Sequence, residues 1–265
     1  MNILDEYKNW LTVNGASHRT IINYISRIKT LLINVKLEEL TETTIINFLL
    51  KIKEKYSAST FNGYRDTIKS FLQYLKKDIE VPKHTKVNRT LPESITEDYL
   101  EKEIMPVVDY IFENPLKVKT VLYVMFYTGI RVGEIEQIYR KNINLKERSI
   151  KFLQPKTKEE RIGFFTEYVK QLIVKYFSSE NETINAFNIT AVNVTYIFTR
   201  INEHLKDVNF HPHVLRHSFA VHLLNKNVDI SVVSKLLGHR SIQSTIRYLK
   251  LKNEQLKSIY DKHIR

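Results

Sequence analysis

Apolar residues recur every three or four positions through most of the first 78 residues, which is the spacing of one face of an α-helix. They fall into four segments, each bounded by a residue type that favours a helix end. These end residues are Gly15 after the first segment, Ser17 and Thr41 before the second and third, and Ser57 or Ser59 before the fourth. The pattern predicts a compact bundle of four helices at residues 1–78.

The helical pattern stops between residues 79 and 95. This stretch contains two of the six prolines of the chain and has no apolar face, so it is predicted to be an extended linker between two domains. Its cations Lys83, Lys86 and Arg89 are candidates for contact with a nucleic-acid phosphate backbone. The alternative is that they are the ordinary solvated charges of a linker.

Helical spacing resumes at Thr96, and Pro106 is expected to kink or divide the first helix of this second part. The only convincing strands are residues 149–153 and 161–165, joined by the charged turn QPKTKEE as a hairpin that stands alone among helices. Further helices are predicted at about 166–177, 190–206, 213–226, 230–237, 242–250 and 254–262. The fold class is therefore mainly α, with a small β insert in a second domain at 96–265.

Composition narrows the chemistry that the chain can perform. The 265 residues include no cysteine, which excludes disulfides, thiolate catalysis and cysteine-ligated metals. Six glycines are few, and none forms a Gly-rich phosphate loop. The net charge of +12 favours a polyanionic partner, either nucleic acid or an anionic membrane surface. No apolar run approaches the roughly 20 residues of a membrane span, and the acidic amino terminus is unlike a signal peptide.

Unusual polar residues stand beside apolar stretches in the second half. Arg131 follows an apolar helix in FYTGIRVGEI, with Glu134 one turn further on, so this arginine either binds an anion or forms a surface pair. His213 and Arg216 share one helix face and together suit a phosphate, because Arg offers two parallel donors and His a third. The alternative is a helix-capping histidine beside an exposed arginine.

Two segments here and a third, LLGHRSIQSTIRYLK, resemble the motifs of the tyrosine recombinases, the phage integrase family that includes the Xer recombinases, Cre and λ integrase. TGIRVGEI is similar to the family's first arginine motif, and residues 213–217 match its HxLRH box. LLGH at 236–239 and the downstream Tyr248 match its last motif. The resemblance implies a SAM-like core-binding domain at 1–78, a linker at 79–95 and a catalytic domain at 96–265.

The family reaction, which the resemblance implies here, is attack by a tyrosine on a DNA phosphodiester, without metal, ATP or another cofactor. The product is a 3′-phosphotyrosyl link and a free 5′-hydroxyl. The resemblance implies that Tyr248 is the nucleophile and that His213 helps to remove its proton. It implies that hydrogen bonds to the phosphate oxygens come from Arg131, Arg216 and His239.

The resemblance also implies a lysine on a hairpin turn that protonates the leaving group. Lys156 in the QPKTKEER turn is its counterpart, with Lys158 as the fallback. Glu134 is expected to orient or neutralise the site rather than bind metal, and His217 is expected to pack behind it.

The partners implied are a double-stranded DNA recombination site and further copies of the chain. We expect a cytoplasmic, DNA-associated enzyme that forms a tetramer on DNA through residues 253–265, although docking of this segment on its own domain is an alternative. No arm-binding domain precedes the bundle, so recognition of distant arm sites is not expected. A type IB topoisomerase and a non-catalytic DNA-binding module remain alternatives, and integration, excision, inversion and dimer resolution are not distinguished.

Overall fold

The computed structural model describes residues 2–87, 93–153, 160–179, 185–206, 208–239, 241–246 and 248. The chain divides into two compact units, Met1–Thr90 and Leu91–Arg265. Among the described residues, no helix combines the length and the apolar character that crossing a bilayer requires. Arg89, the turn lysines Lys156 and Lys158, and the predicted helix at 254–262 lie outside the described residues.

The first unit is a bundle of four helices. They are α1 (Ile3–Val13), α2 (His18–Asn34), α3 (Glu42–Lys55) and α4 (Ala58–Tyr74). Ser17, Thr41 and Ser57 cap the last three helices, because each side chain accepts a hydrogen bond from a backbone N–H in the first turn. Their apolar faces meet in one core that also contains Leu40 and Val81. The predicted bundle is therefore present, and Ser57 rather than Ser59 opens its fourth helix.

The first half of the predicted linker lies along α4. The side chain of Asn62 both donates to the carbonyl oxygen of Thr85 (2.8 Å) and accepts from its N–H (2.9 Å). Arg65 donates to the carbonyl of Pro82 at 2.8 Å, and Val81 is buried in the bundle core. Residues 79–87 are thus attached to the bundle and not freely solvated.

The second unit is mainly helical. Its helices are α5 (Glu97–Tyr99), α6 (Met105–Ile111), α7 (Pro115–Thr128), α8 (Val132–Ile135), α9 (Glu167–Ser179), α10 (Ala191–Asn202), α11 (Pro212–Asn225), α12 (Ile230–Leu237) and α13 (Gln243–Ile246). A π-helical stretch, Leu100–Ile104, joins α5 to α6 just before Pro106, whose missing N–H cannot continue the α-helical bonding. The α-helical bonding is therefore interrupted just before Pro106, where a kink or division was predicted, while the backbone stays helical from Glu97 to Ile111.

A small antiparallel sheet accompanies these helices. Its strands are β1 (Ile143–Asn144), β2 (Ser149–Leu153) and β3 (Glu160–Phe164), in that spatial order. The sequence analysis found β2 and β3 but missed β1, since two residues are too short to show alternation. The prediction of an isolated hairpin is therefore wrong, whereas the mainly α class with a small β insert is confirmed.

The core of the second unit forms around α7. This helix is buried on almost every side and packs against α9 and α11. Its last residue is followed by Gly129, in a left-handed conformation (φ +59°), and two residues later by Arg131, which immediately precedes α8. The end of α7, the start of α8 and the facing side of α11 therefore position the polar residues described next.

Candidate active site

Three arginines from three different elements donate to three successive carbonyl oxygens at the end of α12. Arg161 Nη1 donates to the carbonyl of Leu236 at 2.6 Å. Arg216 Nη2 donates to that of Leu237 at 2.6 Å, and Arg131 Nη2 to that of Gly238 at 3.1 Å. The last carbonyls of a helix lack intrahelical donors and carry partial negative charge, so they suit guanidinium groups. We call Arg131, Arg161 and Arg216 the arginine cluster.

One carboxylate, that of Glu134, accepts hydrogen bonds from two members of the arginine cluster. Glu134 Oε1 accepts from Arg131 Nη1 at 2.8 Å, and Oε2 accepts from the Arg131 backbone N–H at 3.0 Å and from Arg161 Nη2 at 2.6 Å. The Glu134 side chain is only 2% exposed, so the Arg131–Glu134 pair is not the surface pair considered as an alternative. Burial alone raises the pKa of Glu134, but the two guanidinium groups outweigh burial and hold that pKa below its ordinary value.

Arg216 is buried at the centre of this arrangement, which contradicts the alternative of an exposed arginine. Besides its bond to Leu237, its Nη1 donates to the carbonyl of Gly129 at 2.6 Å. Burial, with the nearby charges of Arg131 and Arg161, lowers the pKa of Arg216 to about 9, which leaves the side chain protonated at neutral pH. Arg216 therefore presents a fixed positive charge.

Tyr248 lies against this charged centre. Its hydroxyl and His217 Nδ1 are joined by a 2.5 Å hydrogen bond. The ring of Tyr248 is packed with Phe219, Ala220, Val233 and Leu237, and its hydroxyl is near enough to Arg216 to interact with that charge. A packing role was predicted for His217, and the structure adds this direct contact with the phenol.

The two other histidines predicted for the site, His239 and His213, also make defined contacts. His239 Nδ1 shares a 2.7 Å hydrogen bond with Oγ1 of Thr245, which is fully buried at the end of α13. His213 stands in the first turn of α11, and its ring is stacked 6.1 Å, centroid to centroid, from that of His217. All the described residues predicted for the catalytic site therefore belong to one region.

The remaining predicted residues are not part of this region as described. Lys156, which comes between β2 and β3 in the sequence, and Arg89 both lie outside the described residues. Lys83 and Lys86 are exposed on the first unit. They stay predictions for DNA contact.

Sequence reasoning missed Arg161 and Thr245. The sequence held no signal for Arg161, because the alternation along β3 would favour burial of Ile162 and Phe164, whereas Arg161 and Gly163 occupy the buried face in the structure. Its guanidinium lies 4.4 Å from the ring centre of Phe152, its partner residue on β2.

Comparison with known proteins agrees with this geometry. The family model described as "Phage integrase family" matches residues 93–255, and that described as "Phage integrase, N-terminal SAM-like domain" matches residues 4–79. Because the first match covers more than half of the chain, the protein belongs to the phage integrase family, the tyrosine recombinases, and the resemblance seen in the sequence is confirmed.

Individual relatives carry corresponding names. The chain is 30% identical to a tyrosine recombinase of Thermosipho africanus, over 74% of this chain and 73% of the relative. It is 26% identical to tyrosine recombinase XerA of Pyrococcus horikoshii, over 98% and 93%. Among solved structures, the Tn1549 transposon integrase in complex with transposon right end DNA has a TM-score of 0.77 at 16% identity, with full coverage of both chains. That likeness shows the shared fold.

Proposed function

We propose that this chain is a site-specific DNA recombinase that breaks and rejoins a strand through Tyr248. The tyrosine oxygen attacks a backbone phosphorus, the bond from phosphorus to the 5′-oxygen breaks, and a 3′-phosphotyrosyl link and a 5′-hydroxyl result. The 5′-hydroxyl of a partner strand then reverses the step, so no water and no nucleotide is consumed. The observation that supports this most is the Tyr248 hydroxyl, hydrogen-bonded to His217 beside the buried Arg216.

The arginine cluster supplies the electrostatics that this reaction needs. A pentavalent phosphorane concentrates negative charge on its non-bridging oxygens, and fixed donors stabilise that charge without reorganising. Arg131, Arg216 and His239 would be these donors. Each is already held by a protein oxygen, namely Gly238 O, Leu237 O and Thr245 Oγ1. By analogy with oxyanion donors, loss of one would slow cleavage by about 10²–10³-fold.

Two protons must move during cleavage. A phenol with the ordinary pKa of about 10 is rarely ionised at neutral pH, so attack requires a base. His217 is the histidine in hydrogen-bond contact with the Tyr248 hydroxyl and is the base we favour, with His213 stacked behind it. Lys156 would give a proton to the 5′-oxygen as it leaves.

The test is formation of a covalent adduct. The DNA that the protein enriches in its own cell supplies the site, and a version nicked next to the cleavage position traps the intermediate. The chain should form an adduct that survives denaturing electrophoresis, and Tyr248→Phe should form none. Tyr196→Phe, at an exposed tyrosine of the same unit, is the matched control and should react normally. An adduct that persists in Tyr248→Phe would disprove the assignment.

Recombination also requires several subunits on DNA. We propose a cyclic tetramer in which residues 253–265 of each subunit dock on a neighbour. Removing these residues should leave cleavage by a bound subunit intact but abolish strand exchange between two DNAs. Unchanged exchange would refute the docking role, and relaxation of one supercoiled plasmid without exchange would favour a topoisomerase.

A further inference from the structure

Arg161 is a buried cation that none of the proposed catalytic steps uses. Its side chain is 5% exposed and ion-paired at 2.6 Å with Glu134, whose side chain is 2% exposed. Burying a charge is unfavourable unless its partners compensate, and here the Nε atom has no hydrogen-bond partner among the described residues. Some property other than packing must therefore account for a guanidinium at this position.

The bonding pattern indicates what that property is. Glu134 is the only carboxylate bound by the arginine cluster in the described part of the chain, and it holds Arg131 through both of its oxygens. Without Arg161, Arg131 would be the one member of the cluster bound to this buried carboxylate. With Arg161, two guanidinium groups share the carboxylate, and the three arginines and Glu134 together carry a net charge of +2.

We propose that Arg161 is a positioning residue that keeps Glu134 from neutralising Arg131 and holds the carboxylate against the end of α12. One nitrogen of Arg161 binds Glu134 and the other binds the carbonyl of Leu236, so a single side chain fixes the distance between β3, α8 and α12. This inference rests on the proposed function, because it supposes that Arg131 receives a phosphate. Arg161 itself would not touch the DNA.

The inference predicts an unusual response to paired substitutions. Arg161→Met leaves Glu134 with one guanidinium, and the net charge of the group falls to +1. Adding Glu134→Gln removes the negative charge and returns the net charge to +2. We expect Arg161→Met to slow adduct formation by about 10–100-fold and the double variant to recover at least about 10-fold of that loss. A residue that serves only packing would give a double variant no faster than the single one.

The experiment measures adduct formation on the nicked site for the wild type, Arg161→Met, Glu134→Gln, Arg161→Lys and the double variant. Binding to intact DNA and thermal unfolding are measured for each, since removing one partner of a buried pair is destabilising. If Arg161→Met does not fold, the double variant, which has no unpaired buried carboxylate, is compared with the wild type: a rate within about 10-fold of wild type supports the role of Arg161, and a slower rate overturns it. Arg161→Lys keeps the charge but has one donor group, and should react faster than Arg161→Met.

The outcomes distinguish failure of the proposed function from failure of the role of Arg161. A wild-type chain that forms no adduct refutes the proposed function and this inference together. A wild type that reacts, with Arg161→Met equally fast or the double variant no faster than Arg161→Met, overturns the role of Arg161 and leaves the proposed function standing.

Discussion

Replacing Gly129 with alanine should damage the second unit through two separable effects. Gly129 has φ +59°, a conformation that adds about 1–2 kcal/mol for an L-residue. A Cβ there would lie 2.6 Å from Cδ1 of Phe219 and 3.0 Å from Cδ2 of Leu237. Such overpacking of a core typically adds about 1–3 kcal/mol. We therefore expect the free energy of unfolding of this unit to fall by about 2–5 kcal/mol.

Two other glycines separate these effects. Gly15 also has a positive φ (+76°), but nothing lies within 4 Å of a Cβ built on it, so Gly15→Ala should show the backbone effect alone. Gly133 in α8 has open space and no positive φ, so Gly133→Ala should be neutral or slightly stabilising. Both controls keep the size of the substitution constant.

Urea unfolding can assign each effect to its unit. Trp10 is the only tryptophan, so its fluorescence reports the bundle, while far-ultraviolet circular dichroism reports both units. Gly129→Ala should shift the dichroism transition to lower urea and leave the fluorescence transition in place. Gly15→Ala should shift the fluorescence transition to lower urea, together with the part of the dichroism change that comes from the bundle. The reasoning fails if Gly129→Ala lowers stability no more than Gly15→Ala does.

Three further predictions concern chemistry and the bundle. His217→Asn keeps a hydrogen-bonding atom but has no basic nitrogen, so it should slow adduct formation about 10²-fold while DNA binding is unchanged. Adduct formation at the wild-type rate would show that His217 is not the base. Cleavage should continue in excess EDTA because guanidinium groups supply the positive charge, and a strict magnesium requirement would contradict this. Asn62→Ala should speed hydrogen exchange of the Thr85 amide about 5–30-fold, because it removes two hydrogen bonds. Asn62→Asp keeps the acceptor and should have a smaller effect. Unchanged exchange in Asn62→Ala would show that these bonds do not hold the segment.

The helices of the bundle could be predicted because capping side chains in the sequence mark where they begin. Ser17 and Thr41 accept hydrogen bonds from first-turn amides as their positions suggested. The attachment of residues 79–87 could not be predicted, because it depends on main-chain oxygens of Pro82 and Thr85, which have no sequence signature. Residues 79–87 lack helical periodicity, which predicted an extended linker, although in the structure they pack along α4.

The sequence motifs predicted candidate reacting groups but not the way these groups are held. LLGH pointed to His239, yet the same segment also supplies three carbonyl oxygens for the arginine cluster. Arg161 escaped notice because a lone charged residue in a short strand usually faces solvent. The contact between His217 and Tyr248 joins residues 31 positions apart and required the fold to be known.

The end of α12 explains how so much positive charge can be concentrated without being cancelled. Three carboxylates could orient three arginines equally well, but they would neutralise them and leave nothing to attract a phosphate. Carbonyl oxygens at a helix end bind each guanidinium through a hydrogen bond and contribute only a partial charge. Gly238, with φ +62°, closes the helix in the left-handed conformation where its carbonyl accepts from Arg131. Glu134 is the one carboxylate that the arginine cluster binds among the described residues, so the arginines stay fixed in position and retain the positive charge that the proposed stabilisation of a phosphorane requires.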